Sequence, residues 1–171
     1  MNLRLANLND LPKLKAMYGN IIDGMDRKNI PIWDEIYPCE FFSKDIENNR
    51  LYLLAEKDDN IVGSFALCES NAGESFVEWE NFNGKALYIE RFGVNVDYSR
   101  QGIGSIMLEH AITLTKQMNV KYLRLFVVNI NKPAINLYLK NGFRLVDGIY
   151  EEIIDANLTL HEYGFEINVL R

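Results

Sequence analysis

Residues 92–105 read Phe92-Gly93-Val94-Asn95-Val96-Asp97-Tyr98-Ser99-Arg100-Gln101-Gly102-Ile103-Gly104-Ser105. An apolar strand ends here, a short polar turn follows, and a long amphipathic helix begins. Such a turn lines backbone N–H groups along a helix N-terminus, where about half a positive charge already sits. That arrangement suits a phosphate, and glycine lets the backbone approach the anion and adopt unusual dihedrals. Two better-known phosphate motifs are excluded. A dinucleotide fingerprint needs a third glycine where this chain has Met107, and a P-loop needs Lys-Ser/Thr where Ser105-Ile106 stands.

Working outward, Ala86–Val94 reads as a strand, and Ile103, Met107, Ala111, Leu114 and Met118 recur at helical spacing behind the turn. Tyr122–Val128 is a buried strand, Lys132–Lys140 a helix closed by Asn141-Gly142, and Phe143–Ile149 and His161–Val169 two closing strands. Upstream, Asn2–Ala6 alternates as a strand. Asn9, Asp10 and Pro12 then open a helix whose apolar stripe is Leu11, Leu14, Tyr18, Ile21 and Met25. Asp26–Tyr37 is a loop, Glu40–Asn48 a short helix, and Leu51–Glu56 with Ile61–Cys68 a hairpin. Ser70–Lys85 is a polar loop carrying Phe76, Trp79 and Phe82. The fold class is therefore mixed α/β: hairpins favour antiparallel pairing, and the long strand–helix–strand crossings favour parallel pairing.

With 171 residues, 48% hydrophobic and 25% charged, the chain is expected to form a single domain, 1–171, with its own core. No apolar run approaches the roughly 18 residues of a membrane span. Met1–Ala6 leads straight into a strand, so no signal peptide is expected and the expected compartment is cytoplasmic. A net charge of −6 argues against a nucleic-acid partner and is compatible with a cationic amine. Cys39 and Cys68 lack metal-ligand spacing and read as free thiols, and His110 and His161 are isolated, so no metal site is expected.

A second signature completes the pattern. Asn131, Ala134, Tyr138, Gly142 and Phe143 stand at offsets 0, 3, 7, 11 and 12, and the first three share one helical stripe. Taken with the turn, this segment resembles the GCN5-related N-acetyltransferase (GNAT) superfamily, the strong match covering about Ala86–Phe143. The resemblance implies a mostly antiparallel central sheet with one parallel, splayed strand pair, flanked by about four helices. It implies acetyl-CoA as cofactor and CoA as product. Gln101, Gly102, Ile103, Gly104 and Ser105 would cradle the pyrophosphate with Arg100 beside them. Phe92, Gly93 and Val94 would bond the pantetheine through their backbone, Asn131 and Ala134 would border the cofactor arm, and Tyr138 would lie near the thioester sulfur. The chain departs from the family pattern at Ser99, where Gln or Arg is usual, and at Val96, often proline.

Acetyl transfer needs a positioned donor, a neutral amine and a proton for the leaving thiolate. Glu90, embedded in the strand 86–94 with Tyr88, Phe92 and Val94 expected on its face, is the preferred base. Adjacent strand residues point oppositely, so Arg91 is a poor partner for it. Tyr138 is the expected acid. Trp33, Tyr37, Trp79 and Glu80, with Glu90, are the expected acceptor contacts, aromatic rings and carboxylates suiting a cation. The leading expectation is direct transfer, in a ternary complex, to the primary amine of a small molecule. Protein N-terminal or lysine acetylation and a non-catalytic acyl-CoA sensor are the alternatives, and a homodimer is compatible with an open sheet edge.

Overall fold

A computed structural model describes residues 1–171. Their contacts fall into two compact units, Met1–Leu67 with Arg91–His110, and Cys68–Glu90 with Ala111–Arg171. In the first unit, β1 (Asn2–Leu5) pairs antiparallel with β2 (Leu51–Ala55), and β2 with β3 (Ile61–Cys68). β2 and β3 are buried along their whole length, which explains why they read as unbroken apolar runs rather than alternating ones. Asp10 is the N-cap position of α1 (Leu11–Arg27) with Pro12 in its first turn, as expected, and a capped 3-10 turn precedes it: Asn7 accepts from the Asn9 amide and the Asp10 carboxylate from the Asn7 amide. Asp10 is held in turn by Arg4 at 2.8 Å. α1 buries Leu14, Met17, Tyr18 and Ile21, and α2 is short, Phe42–Glu47.

In the second unit, β4 (Val77–Glu78) lies within the segment expected to be all loop; it pairs with β8 (Asp147–Gly148). The first part of β5 (Ala86–Val94) runs parallel to β6 (Tyr122–Val128). β6 is antiparallel to β10 (Leu158–Asn168), which also pairs with β7 (Arg144–Leu145) and β9 (Tyr150–Asp155). The expected closing pair is thus four strands, with an unforeseen β9–β10 hairpin. α4 (Lys132–Lys140) lies in this unit, and α3 (Ile103–Gln117), whose first half to His110 belongs to the first unit, completes the four α-helices. α3 buries Ile103, Met107, Leu108, Ala111 and Thr115, whereas Met118 is exposed, so the apolar stripe ends a turn sooner than its spacing suggested.

In the first unit the strands pair in the order β1-β2-β3, and in the second the order is β5-β6-β10-β7 with β9 beside β10. Of the strand–helix–strand crossings, only β5–α3–β6 closes a parallel pair. β10 inserts between β6 and β7, so the crossing through α4 returns to a non-neighbouring strand. The sheet is mixed and mostly antiparallel, as expected. No helix is long and apolar enough to cross a membrane.

Candidate functional site

The turn before α3 is built from its own backbone. Asn95 anchors it: its amide donates to Val62 O (2.9 Å), its Nδ2 to Ile61 O (2.9 Å), and its Oδ1 accepts from Asp97 N (3.1 Å). Ser99 folds back on the same turn, its hydroxyl donating to Val96 O at 2.6 Å. The residue at the family's variant position is thus spent on local structure. Arg100 and Gly102 adopt φ of +62° and +78°, and the Ile106 amide reaches Gly102 O at 3.2 Å. Helix geometry leaves the first-turn amides without intrahelical acceptors and directed out of the N-terminus, where the helix dipole favours an anion. A Cβ on Gly102 would meet nothing within 4 Å. Glycine stands there for its backbone conformation rather than for room within the protein. Gly102→Ala is expected to lower the Tm by about 4 °C in thermal melts, because a Cβ makes this φ roughly 1–2 kcal/mol less favourable.

The strand leading into the turn is irregular. Its ladder with β6 ends at Ile89–Leu125, yet β5 continues to Val94. Between these points Arg91 has φ +51°, a left-handed residue that breaks two-residue alternation. The shared face expected for Tyr88, Glu90, Phe92 and Val94 is therefore interrupted at 91. Phe92 stacks toward Phe65 (6.3 Å), and Gly93 abuts Tyr18, whose ring a Cβ there would meet at 2.7 Å. Arg91 pairs with Asp45 at 2.6 Å, on α2.

In α4, Asn131 is the N-cap, its Oδ1 accepting from the Ala134 amide at 3.3 Å. Tyr138 is buried one turn further on, against Phe143 (6.0 Å) and Phe165 (6.1 Å). Burial pushes its phenol above the ordinary value, so the ring carries its proton throughout the physiological range.

Glu90 accepts a hydrogen bond from the Asn71 side chain, and Asn71 in turn accepts from the Gly73 amide at 2.7 Å. A second carboxylate feels its charge, and a third pairs with that second one. Glu162 on β10 is pushed up to about 8 by burial, by a hydrogen bond with Glu152 on β9, and by the charges of Glu152 and Glu90. Sequence reading missed Glu152 and Glu162 because the β9–β10 hairpin that brings them together was itself missed, and Asn71 because it stands in a loop 19 residues from Glu90. Phe126 and Tyr150 (6.0 Å apart) pack in the same unit, close around Gly73.

The expected acceptor residues have different settings. Trp79 is 7% exposed; its Nε1 donates to Glu74 O and the Arg124 guanidinium sits 4.5 Å above its ring. Arg124 is held by Glu166 (2.8 Å) and by the Tyr88 hydroxyl (3.3 Å). The Glu80 carboxylate takes Arg171 (3.0 Å) and Arg144 (3.5 Å). Trp79 also lines a cavity of about 360 Å³ with Glu69, Glu74, Phe82 and Tyr88. Trp33 leans on Tyr18 (5.5 Å) and Tyr37 on Phe41 (5.6 Å). The structure thus joins Glu90 to Asn71 and sets its charge against Glu162, which is itself paired with Glu152, while Trp79 and Glu80 belong to an arginine network.

The Glu162 pKa carries a stability consequence. An unfolded glutamate titrates near 4.3, so between there and about 8 the native state holds a proton that the unfolded chain has lost. The group's stabilisation is therefore complete at low pH and declines as pH rises toward 8. Glu162→Gln, permanently neutral, is expected to match wild-type Tm near pH 4 and to exceed it by roughly 10 °C at pH 9 in thermal melts.

Comparison with known proteins agrees with this geometry. A family model described as the acetyltransferase (GNAT) family matches residues 20–143. N-alpha-acetyltransferase 50 of Danio rerio is 30% identical over 127 residues, 74% of this chain and 70% of that one. YwnH of Bacillus subtilis, provisionally named a phosphinothricin acetyltransferase, is 25% identical over 151 residues, 84% of this chain and 83% of its own. Among solved structures, a GNAT-family acetyltransferase from Streptococcus agalactiae superposes with a TM-score of 0.81 at 14% identity, covering 98% of this chain and 94% of that one. That last likeness is one of fold.

Proposed function

The chain belongs to the acetyltransferase (GNAT) family, and on that premise we propose that it transfers the acetyl group of acetyl-CoA to a cationic primary amine, by direct attack in a ternary complex. The observation that carries the donor is the β5 strand end: pairing with β6 stops at Ile89 while the strand runs on through Val94 into the amide-lined start of α3. The open space about Gly102 and the left-handed dihedrals of Arg100 and Gly102 fit a diphosphate there.

Acetyl-CoA supplies the acetyl group as a thioester. The amides of Gln101–Ser105 hold its diphosphate with Arg100 beside them, and the backbone of Phe92–Val94 holds its pantetheine. Asn131 and Ala134 border that arm, and the Tyr138 hydroxyl donates toward the departing sulfur. The acceptor arrives protonated, since an amine of pKa about 10.4 needs roughly 4–5 kcal/mol to become neutral at pH 7. Glu90 attracts the ammonium and takes up its proton, and Glu162 adds its charge only as it ionises near 8. A carboxyl poised near 8 is well matched to that exchange at neutral pH.

A small-molecule amine is the preferred acceptor, because carboxylates bordered by Phe126 and Tyr150 suit a compact cation. A peptide N-terminus is the second reading, favoured by the relative named for N-alpha acetylation. Calorimetry with CoA, then thiol release across polyamines, amino acids and short peptides, tests both. Expected are CoA binding and turnover on a small polycation. Turnover confined to peptides selects the second reading, and a folded protein without CoA affinity refutes the donor.

A further inference from the structure

Arg91 is the one strand residue of β5 in the left-handed region, at φ +51°, and it is not a glycine. Such a conformation persists only where the surroundings over-determine it. Here they do so from both ends of the residue. Its guanidinium donates to both oxygens of Asp45, Nε at 2.6 Å and Nη2 at 3.1 Å, and lies 5.1 Å above the Phe41 ring. Its carbonyl accepts the Tyr18 hydroxyl at 2.5 Å, and that hydroxyl also meets Ser64 Oγ at 2.9 Å. Asp45 is 0% exposed and takes a second arginine, Arg50, at 2.7 Å. Tyr18 is equally buried and closes on Gly93 so tightly that a Cβ would sit 2.7 Å from its ring.

These contacts bracket the peptide units immediately before and within Phe92–Val94. A buried ion pair contributes little to stability when weighed against apolar residues of similar volume. It is effective at fixing one conformation.

We propose that Tyr18, Asp45 and Arg91 form a positioning lock that holds the end of β5 in the conformation gripping the pantetheine arm. This rests on the acetyl-CoA reading above. None of the three needs to touch the donor; they act through the backbone of Phe92–Val94. The same side chains carry Trp33, 5.5 Å from Tyr18, and Phe41, so the segment before α2 rests on the lock as well.

The lock predicts selective loss. The nucleotide half of CoA is held at the α3 turn and the pantetheine at the strand end, so damage to the lock weakens only ligands that carry the arm. Tyr18→Phe removes one oxygen and keeps the ring against Gly93. By calorimetry its Kd for CoA is expected to rise about tenfold, the scale of one buried hydrogen bond, while its Kd for 3′-phosphoadenosine 5′-diphosphate stays within about twofold of wild type. Asp45→Asn is expected to show the same pattern more strongly; should it fail to fold, Tyr18→Phe carries the test alone. Equal weakening of both ligands, or unchanged CoA affinity in folded Tyr18→Phe, overturns the lock. Wild-type protein that binds the nucleotide half but gains nothing from the arm overturns the lock and leaves the turn's role standing. Wild-type protein that binds neither ligand overturns the donor reading itself.

Discussion

Replacing Tyr138 by phenylalanine is expected to lower kcat about 100-fold while the KM for acetyl-CoA stays within about twofold. The ring is buried against Phe143 and Phe165, and a phenyl group fills the same space, so packing changes little. What disappears is a hydroxyl whose proton burial retains. A thiolate like that of CoA has a pKa near 8.5, below that of the phenol, so complete proton transfer from Tyr138 is uphill. The contribution we propose for it is a hydrogen bond that strengthens as charge builds on the departing sulfur. Such a bond is stronger in the transition state than in the ground state, which places the loss in kcat rather than in KM. Steady-state kinetics with thiol detection reads it directly. Full activity in the variant shows that solvent alone protonates the sulfur and removes Tyr138 from the chemistry.

The same residue shows what a sequence can and cannot disclose. Tyr138 and Asn131 were legible because helical spacing and an N-cap are local, and both stand where their spacing put them. The turn at 99–104 was legible for a similar reason, although its glycine proved to serve conformation rather than internal clearance. The bend in β5 was hidden. Left-handed dihedrals are expected at glycine, yet Arg91 rather than Gly93 adopts one, because Asp45 and Tyr18, 46 and 73 residues away, hold it. The β9–β10 hairpin was hidden because the apolar residues about its turn, Ile153, Ile154 and Leu158, are exposed, so no buried face imposes alternation there. The two-residue ladder of β4 with β8 is too short for any pattern. Glu162 follows from that hairpin. Its proton affinity arises first from burial, then from Glu152 on the neighbouring strand and from Glu90, three positions that nothing in the linear order connects.

That carboxylate group sets the second large effect. Glu90→Gln is expected to lower kcat/KM about 100-fold near pH 7, the lower range of general-base contributions, with the deficit shrinking as pH approaches 10. The sign follows from the acceptor. Below its pKa of about 10.4 the amine needs a group to take its proton, and above it the free amine already dominates. Glu162 adds a distinct feature, because its carboxyl ionises only near 8. Wild-type kcat/KM should therefore carry a rising limb with an apparent pKa near 8 that belongs to the coupled set rather than to one residue. Removing the Glu90 charge removes one of the like charges that raise Glu162, so in Glu90→Gln that limb moves to lower pH. In Glu162→Gln the limb vanishes. The two variants thus separate electrostatic support from proton transfer. A limb that stays in place in Glu90→Gln, with no loss of rate at pH 7, removes Glu90 from both roles. A limb that persists in Glu162→Gln assigns it to the acceptor amine, whose own titration would then be what the enzyme lowers toward neutrality.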